Sequence, residues 1–142
     1  MAYSNTSIYK LGADMKRPVV FVVDDDESVC KALKRLIKSV GIKARTLSSA
    51  EEFLNQGCQN VQGCLILDVR MPGISGLELQ EKLVGSGSIM PIIFVSAHED
   101  TKAREQAMKA GAVAFLQKPF EDQKLLNAVY SALKESQNDK AQ

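Results

Sequence analysis

The chain has 142 residues, a length that suits one domain with a self-sufficient core and argues against a two-domain enzyme. Hydrophobic residues at 45% and charged residues at 25% exclude wholesale disorder, collagen and coiled coil, and a formal charge of +1 gives no general attraction to nucleic acid or anionic lipid. No apolar run approaches the roughly 20 residues that span a bilayer, the N-terminus lacks the apolar stretch of a signal peptide, and three cysteines with one His form neither a disulfide set nor a metal knuckle, so a soluble, cytoplasmic chain is expected.

Residues 1–17 read as a flexible polar leader. A first β-branched run, VVFVV at 19–23, is followed by Val29, Leu33, Leu36, Ile37 and Val40, whose spacing marks one face of a helix. Further strands are expected at 42–46, 64–67, 92–95 and 113–116. Between them the pattern Ser-x-x-Glu, a helix-start signal, occurs at Ser49 with Glu52, Ser75 with Glu78 and Ser96 with Glu99. The fourth helix, 100–110, has only Ala103, Ala107, Met108 and Ala110 as apolar contacts, a weak anchor that suits a movable element and equally a small, tightly seated helix. Leu125, Leu126, Val129, Ala132 and Leu133 form the face of a last helix, and 135–142 reads as a polar tail, so the folded unit spans about 18–134.

Strand starts recur every 21 to 28 residues, about one strand plus one helix each time, which predicts a (βα)5 order. Strands apolar at nearly every position are buried on both faces, so the expected fold is a doubly wound, flavodoxin-like three-layer α/β sandwich around a parallel sheet. Ligands of such sheets bind beyond the carboxyl ends of the strands, where the strand order reverses. Here those ends are polar: Asp24, Asp25 and Asp26 after the first strand, Asp68 after the third, Ser96 after the fourth and Lys118 after the fifth. With strand order 2-1-3-4-5, assumed rather than read from periodicity, Asp24, Asp25 and Asp68 converge. Like charges about 4 Å apart repel by roughly 4 kcal/mol at an effective dielectric near 20, so the trio calls for a cation, and an all-oxygen donor set favours Mg2+. With Lys118 adding an ammonium, the site is suited to a dianionic phosphoryl group.

VVDDDES, LILDVRMPGISGLEL, VSAH and AFLQKPF together resemble, in order and spacing, the receiver domain of bacterial two-component response regulators, and GAVAFLQKPFE and LDVRMPGISG look most similar to the nitrogen-fixation type. The resemblance covers 18 to about 134. It implies that Asp68 is the phosphoacceptor and that Mg2+ is held by Asp25, Asp68 and the main-chain carbonyl of Arg70, with Asp24 acting through water. It further implies that Ser96 and Lys118 contact phosphoryl oxygens, that the Lys118–Pro119 bond is cis, and that Ser96 and Phe115 form a switch read out on helix 4, strand 5 and helix 5. Arg70 and His98 would influence the rate at which the phosphoryl group is lost to water. The implied partner is a sensor histidine kinase or phosphotransfer protein, for which Lys31, Lys34, Arg35 and Lys38 on the first helix offer a basic face. The resemblance leaves open a stand-alone receiver acting on a downstream output protein, a fragment of a longer regulator whose DNA-binding output domain is absent from this chain, and a phosphorylation-dependent homodimer. Such a protein catalyses its own modification and is not a turnover enzyme.

Each assignment has a plainer competitor. Asp24 to Asp26 could form only a strand-to-helix turn, Ser96 only a capping box, Lys118 a surface lysine, Phe115 plain core and the basic helix face a solvated one. A haloacid-dehalogenase-like phosphatase also attacks through a strand-end Asp, with a second acid two residues later; Arg70 breaks that pattern after Asp68, whereas Asp24 with Asp26 shows it. A pseudo-receiver that only binds a partner is the third reading.

Overall fold

The computed structural model describes residues 17–141; all but the last residue of the expected leader lies outside them. Five parallel strands, β1 (Val19–Val23), β2 (Lys43–Leu47), β3 (Gly63–Asp68), β4 (Ile92–Ser96) and β5 (Ala114–Gln117), form one sheet in the order β2-β1-β3-β4-β5. The helices between and after them are α1 (Glu27–Ser39), α2 (Ala50–Asn55), α3 (Gly76–Gly85), α4 (Thr101–Lys109) and α5 (Asp122–Ala141), with a short 3-10 turn, Cys58–Asn60, before β3. This is the doubly wound (βα)5 sandwich, in the strand order expected.

Side-chain alternation on the central strands explains the layers. Val20 and Val22 of β1, with Ile66 and Ile93, pack against Cys30, Leu33 and Ile37 of α1 and Leu125, Val129 and Ala132 of α5. Phe21 and Val23 point the other way, with Leu65, Leu67 and Phe94, toward Phe53 of α2, Leu79 and Leu83 of α3, and Ala103 and Ala107 of α4. The Phe21 and Phe53 rings meet edge to face at 5.6 Å. β1, β3 and β4 are buried throughout, whereas the edge strands β2 and β5 are only partly covered, so burial on both faces holds for the middle of the sheet and not for its borders.

Several boundaries differ from the sequence reading. β2 and β5 begin one residue later than expected, because hydrogen-bond register rather than apolarity decides where pairing starts. Cys30 takes the inner face of α1, while Val40 is its exposed C-cap residue. Ser75 and Glu78 make the full reciprocal capping box. At α2 the Ser49 hydroxyl accepts the Glu52 N–H, but Glu52 reaches back to the Ser48 N–H instead of that of Ser49. Ser96 caps no helix: it is the last residue of β4, and α4 starts from Asp100, whose carboxylate accepts the Ala103 N–H. The final helix runs through the segment read as a polar tail, to Ala141. Among the described residues, no helix is long and apolar enough to cross a membrane.

Gly76 lets α3 begin against the end of β3. A Cβ at this position would lie 2.1 Å from the main-chain oxygen of Asp68, and the Gly76 N–H donates to the Val69 carbonyl at 3.0 Å. Gly76→Ala should therefore lower stability by about 1–3 kcal/mol in denaturant unfolding, since backbone must move to admit the methyl group; an unchanged midpoint would contradict this packing.

Candidate functional site

β1 and β3 are adjacent in the sheet and in register, Val23 opposite Leu67, so the next residue of each, Asp24 and Asp68, emerges side by side. β4 sits on the other side of β3, pairing Asp68 with Val95, and β5 follows with Ser96 opposite Gln117. Ser96 and Lys118 are thereby brought to the same end of the sheet. Asp24, Asp25, Asp68, Ser96, Arg70 and Lys118 all line one cleft of about 270 Å3, together with Asp26, Ala97 and His98.

Asp24 is almost fully buried, accepting the Asp26 N–H on Oδ1 at 2.9 Å and pairing through Oδ2 with Lys118 Nζ at 3.0 Å. Asp25 is exposed. Asp68 is buried to all but 8% of its surface, with Lys118 Nζ 3.8 Å from its Oδ1. Carboxylate oxygens of Asp24, Asp25 and Asp68 lie within 4.8 Å of one another. Lys118 is followed by the cis peptide bond to Pro119, and its N–H donates to the Ser96 carbonyl at 2.7 Å, which ties β5 to β4 at the cleft.

Burial pushes the Asp68 carboxyl up to about 6, reinforced by the neighbouring negative charges of Asp24 and Asp25 and offset in part by Lys118. One ammonium thus leaves the cluster short of positive charge. A hard divalent cation suits this oxygen-only donor set, and the exposed Asp25 is the member with room to bind one directly.

The remaining expected residues divide. The Ser96 side chain is turned to the following loop: its hydroxyl donates to the His98 carbonyl at 3.0 Å and accepts the His98 N–H at 3.2 Å. Phe115 is buried, stacked on Phe94 with centroids 6.0 Å apart, and covered by the Arg104 guanidinium at 5.6 Å. Asp26 is committed elsewhere, accepting the Ser28 N–H and hydroxyl as the N-cap of α1, which holds its carboxyl below the usual range. Two contacts escaped the sequence reading: the Arg70 side chain pairs with Asp100, 30 residues away, and Glu51 of α2 accepts the Ile74 N–H at 3.0 Å, bracing the loop after Asp68. Neither spacing carries a local signal.

The family model described as the response regulator receiver domain matches residues 20–130. The chain belongs to this family. It is 49% identical over 116 residues to response regulator protein TmoT of Ectopseudomonas mendocina, covering 82% of this chain and 53% of that protein. It is 43% identical over 114 residues to transcriptional regulatory protein FixJ of Azorhizobium caulinodans, covering 80% of this chain and 54% of that protein. Among solved structures, response regulator StyR superposes with a TM-score of 0.83 at 46% identity, covering 88% of this chain and 63% of that one. The likeness is therefore not specific to the nitrogen-fixation type, which corrects the finer assignment drawn from GAVAFLQKPFE and LDVRMPGISG. This receiver domain spans about half the length of the curated relatives it matches.

The raised Asp68 carboxyl has a thermodynamic sign. Between the ordinary carboxylate range and about 6 the folded chain holds more protons at this group than the unfolded chain, so its contribution to stability falls as pH rises through that window and levels off above it. Asp68→Asn should abolish the fall and exceed the metal-free wild type by about 2 kcal/mol near pH 8, with no gain near pH 4. Denaturant unfolding at the two pH values checks this; a variant equally destabilised at both would contradict it.

Proposed function

We propose that Asp68 of this phosphoacceptor receiver domain is the residue that takes the phosphoryl group, with Mg2+ held by Asp25, Asp68 and the main-chain carbonyl of Arg70, and with Asp24 acting through water. The observation that carries this reading is the convergence of three carboxylates and Lys118 around the end of β3, where Asp68 is buried and its carboxyl is raised to about 6. An Asp68 oxygen attacks phosphorus as the phosphorus–nitrogen bond of a phosphohistidine donor breaks; the departing imidazole keeps the electron pair and takes a proton from water. Mg2+, when bound, neutralises the carboxylates and polarises the phosphoryl oxygens. Lys118, within 3.8 Å of Asp68, moves from Asp24 toward a phosphoryl oxygen. Ser96 gives up the His98 carbonyl to donate to another, and the rearranged loop alters the packing of Phe115 between Phe94 and Arg104.

The donor is a sensor histidine kinase or phosphotransfer protein. Its docking is supported by a cavity of about 560 Å3 between α1 and the β5–α5 loop, lined by Val29, Leu36, Pro119 and Phe120 and bordered by Arg35 and Lys118, so an apolar and acidic helix fits beside the site. The readout is the α4–β5–α5 surface, acting on an output protein or output domain in the cytoplasm, with a phosphorylation-dependent homodimer as one route. Receiver membership makes the chemistry self-modification rather than turnover. The phosphatase alternative is further weakened because Asp26, the acid two residues after Asp24, is occupied as a helix cap.

Intact-mass measurement after incubation with acetyl phosphate tests the assignment. Wild type should gain one phosphoryl group with Mg2+ and none after chelation, and Asp68→Ala should gain none; equal gain by the variant would move the acceptor elsewhere.

A further inference from the structure

α4 is attached by little apolar surface. Of its nine residues only Ala103 and Ala107 are buried, and Met108 is 42% exposed. Two polar side-chain contacts hold it as well, one near each end. Near the C-terminal end, the buried Gln80 of α3 donates from Nε2 to the Ala107 carbonyl at 3.0 Å. At the N-terminal end Asp100 acts twice: Oδ1 accepts the Ala103 N–H at 3.0 Å, and Oδ2 pairs with the guanidinium of Arg70. Arg70 also lines the cleft around Asp68, so this ion pair joins the first turn of α4 to the rim of the site.

The two holds differ in what can undo them. The Gln80 contact is neutral and buried. The Arg70 side chain is 62% exposed, and ion pairs so placed are weak. A phosphoryl group on Asp68 would set a dianion with three acceptor oxygens in the cleft that Arg70 lines, and a guanidinium matches that group in shape and in charge better than it matches a single carboxylate. We propose that Arg70 is an exchangeable latch, holding α4 through Asp100 while Asp68 is bare and passing to the phosphoryl group once Asp68 is modified. The latch rests on the reading of Asp68 as phosphoacceptor. Its release frees the N-terminal turn of α4 while Gln80 keeps the other end seated, so the helix pivots. Arg104, one turn beyond Asp100 and placed over the Phe115 ring at 5.6 Å, carries that pivot to the α4–β5 surface without passing through Ser96.

Amide hydrogen exchange across the first turn of α4, measured on the full chain with phosphoryl occupancy followed by intact mass, tests the latch. The variants are Asp100→Asn, whose side-chain oxygen still caps the Ala103 N–H, Arg70→Met and the double variant. Without phosphoryl donor each single variant should raise exchange about threefold, and the double variant no further. After acetyl phosphate and Mg2+, wild type should rise to the level of Asp100→Asn, the coupling between positions 70 and 100 should vanish, and the rise should persist in Ser96→Ala. Undiminished coupling in the phosphorylated protein would show that Arg70 stays on Asp100 and would overturn the latch while leaving the acceptor assignment standing. Failure of wild type to gain a phosphoryl group would instead remove the acceptor assignment, and the latch with it.

Discussion

Repulsion among Asp24, Asp25 and Asp68 is the constraint around which the rest of the molecule is arranged. A parallel sheet that places β1 beside β3 brings Asp24 and Asp68 together whatever their charge, and both are almost fully buried there. Lys118 answers part of that charge from β5, reaching Asp24 at 3.0 Å and Asp68 at 3.8 Å. Burial, reinforced by the repulsion that Lys118 leaves unanswered, raises the Asp68 carboxyl, so the site gains from a cation and a phosphoryl group entering it.

Two kinds of support surround this centre. Toward α1 and α5 the sheet is backed by Leu33, Ile37, Leu125, Val129 and Ala132, a dense apolar layer that fixes the strand ends on which Asp24 and Lys118 depend. Toward α4 the backing is two alanines and a pair of polar contacts. Chemistry that needs rigid positioning is placed against the first layer, and the surface that must change is built on the second.

How much of this was legible in the sequence follows from the range of each interaction. Strands 19–23, 64–67 and 92–95 could be read because their burial is complete, and the acids at 24, 25 and 68 because they end such strands. The doubly wound topology follows once strand order is assumed. Ser96 was assigned a cap because Glu99 lies three residues on, yet pairing with β5 holds Ser96 in the sheet and leaves Asp100 to start the helix. The Arg70–Asp100 pair and the brace from Glu51 to Ile74 join residues distant in sequence, and no periodicity encodes them.

Calorimetric titration of Mg2+ into the chain addresses the central claim most directly. The account predicts saturable binding of one ion by wild type, weakened at least about tenfold in Asp25→Asn and in Asp68→Asn and left intact in Asp26→Asn. An affinity that is the same in wild type, Asp25→Asn and Asp68→Asn would contradict it, because the three carboxylates would then have converged without forming a cation site.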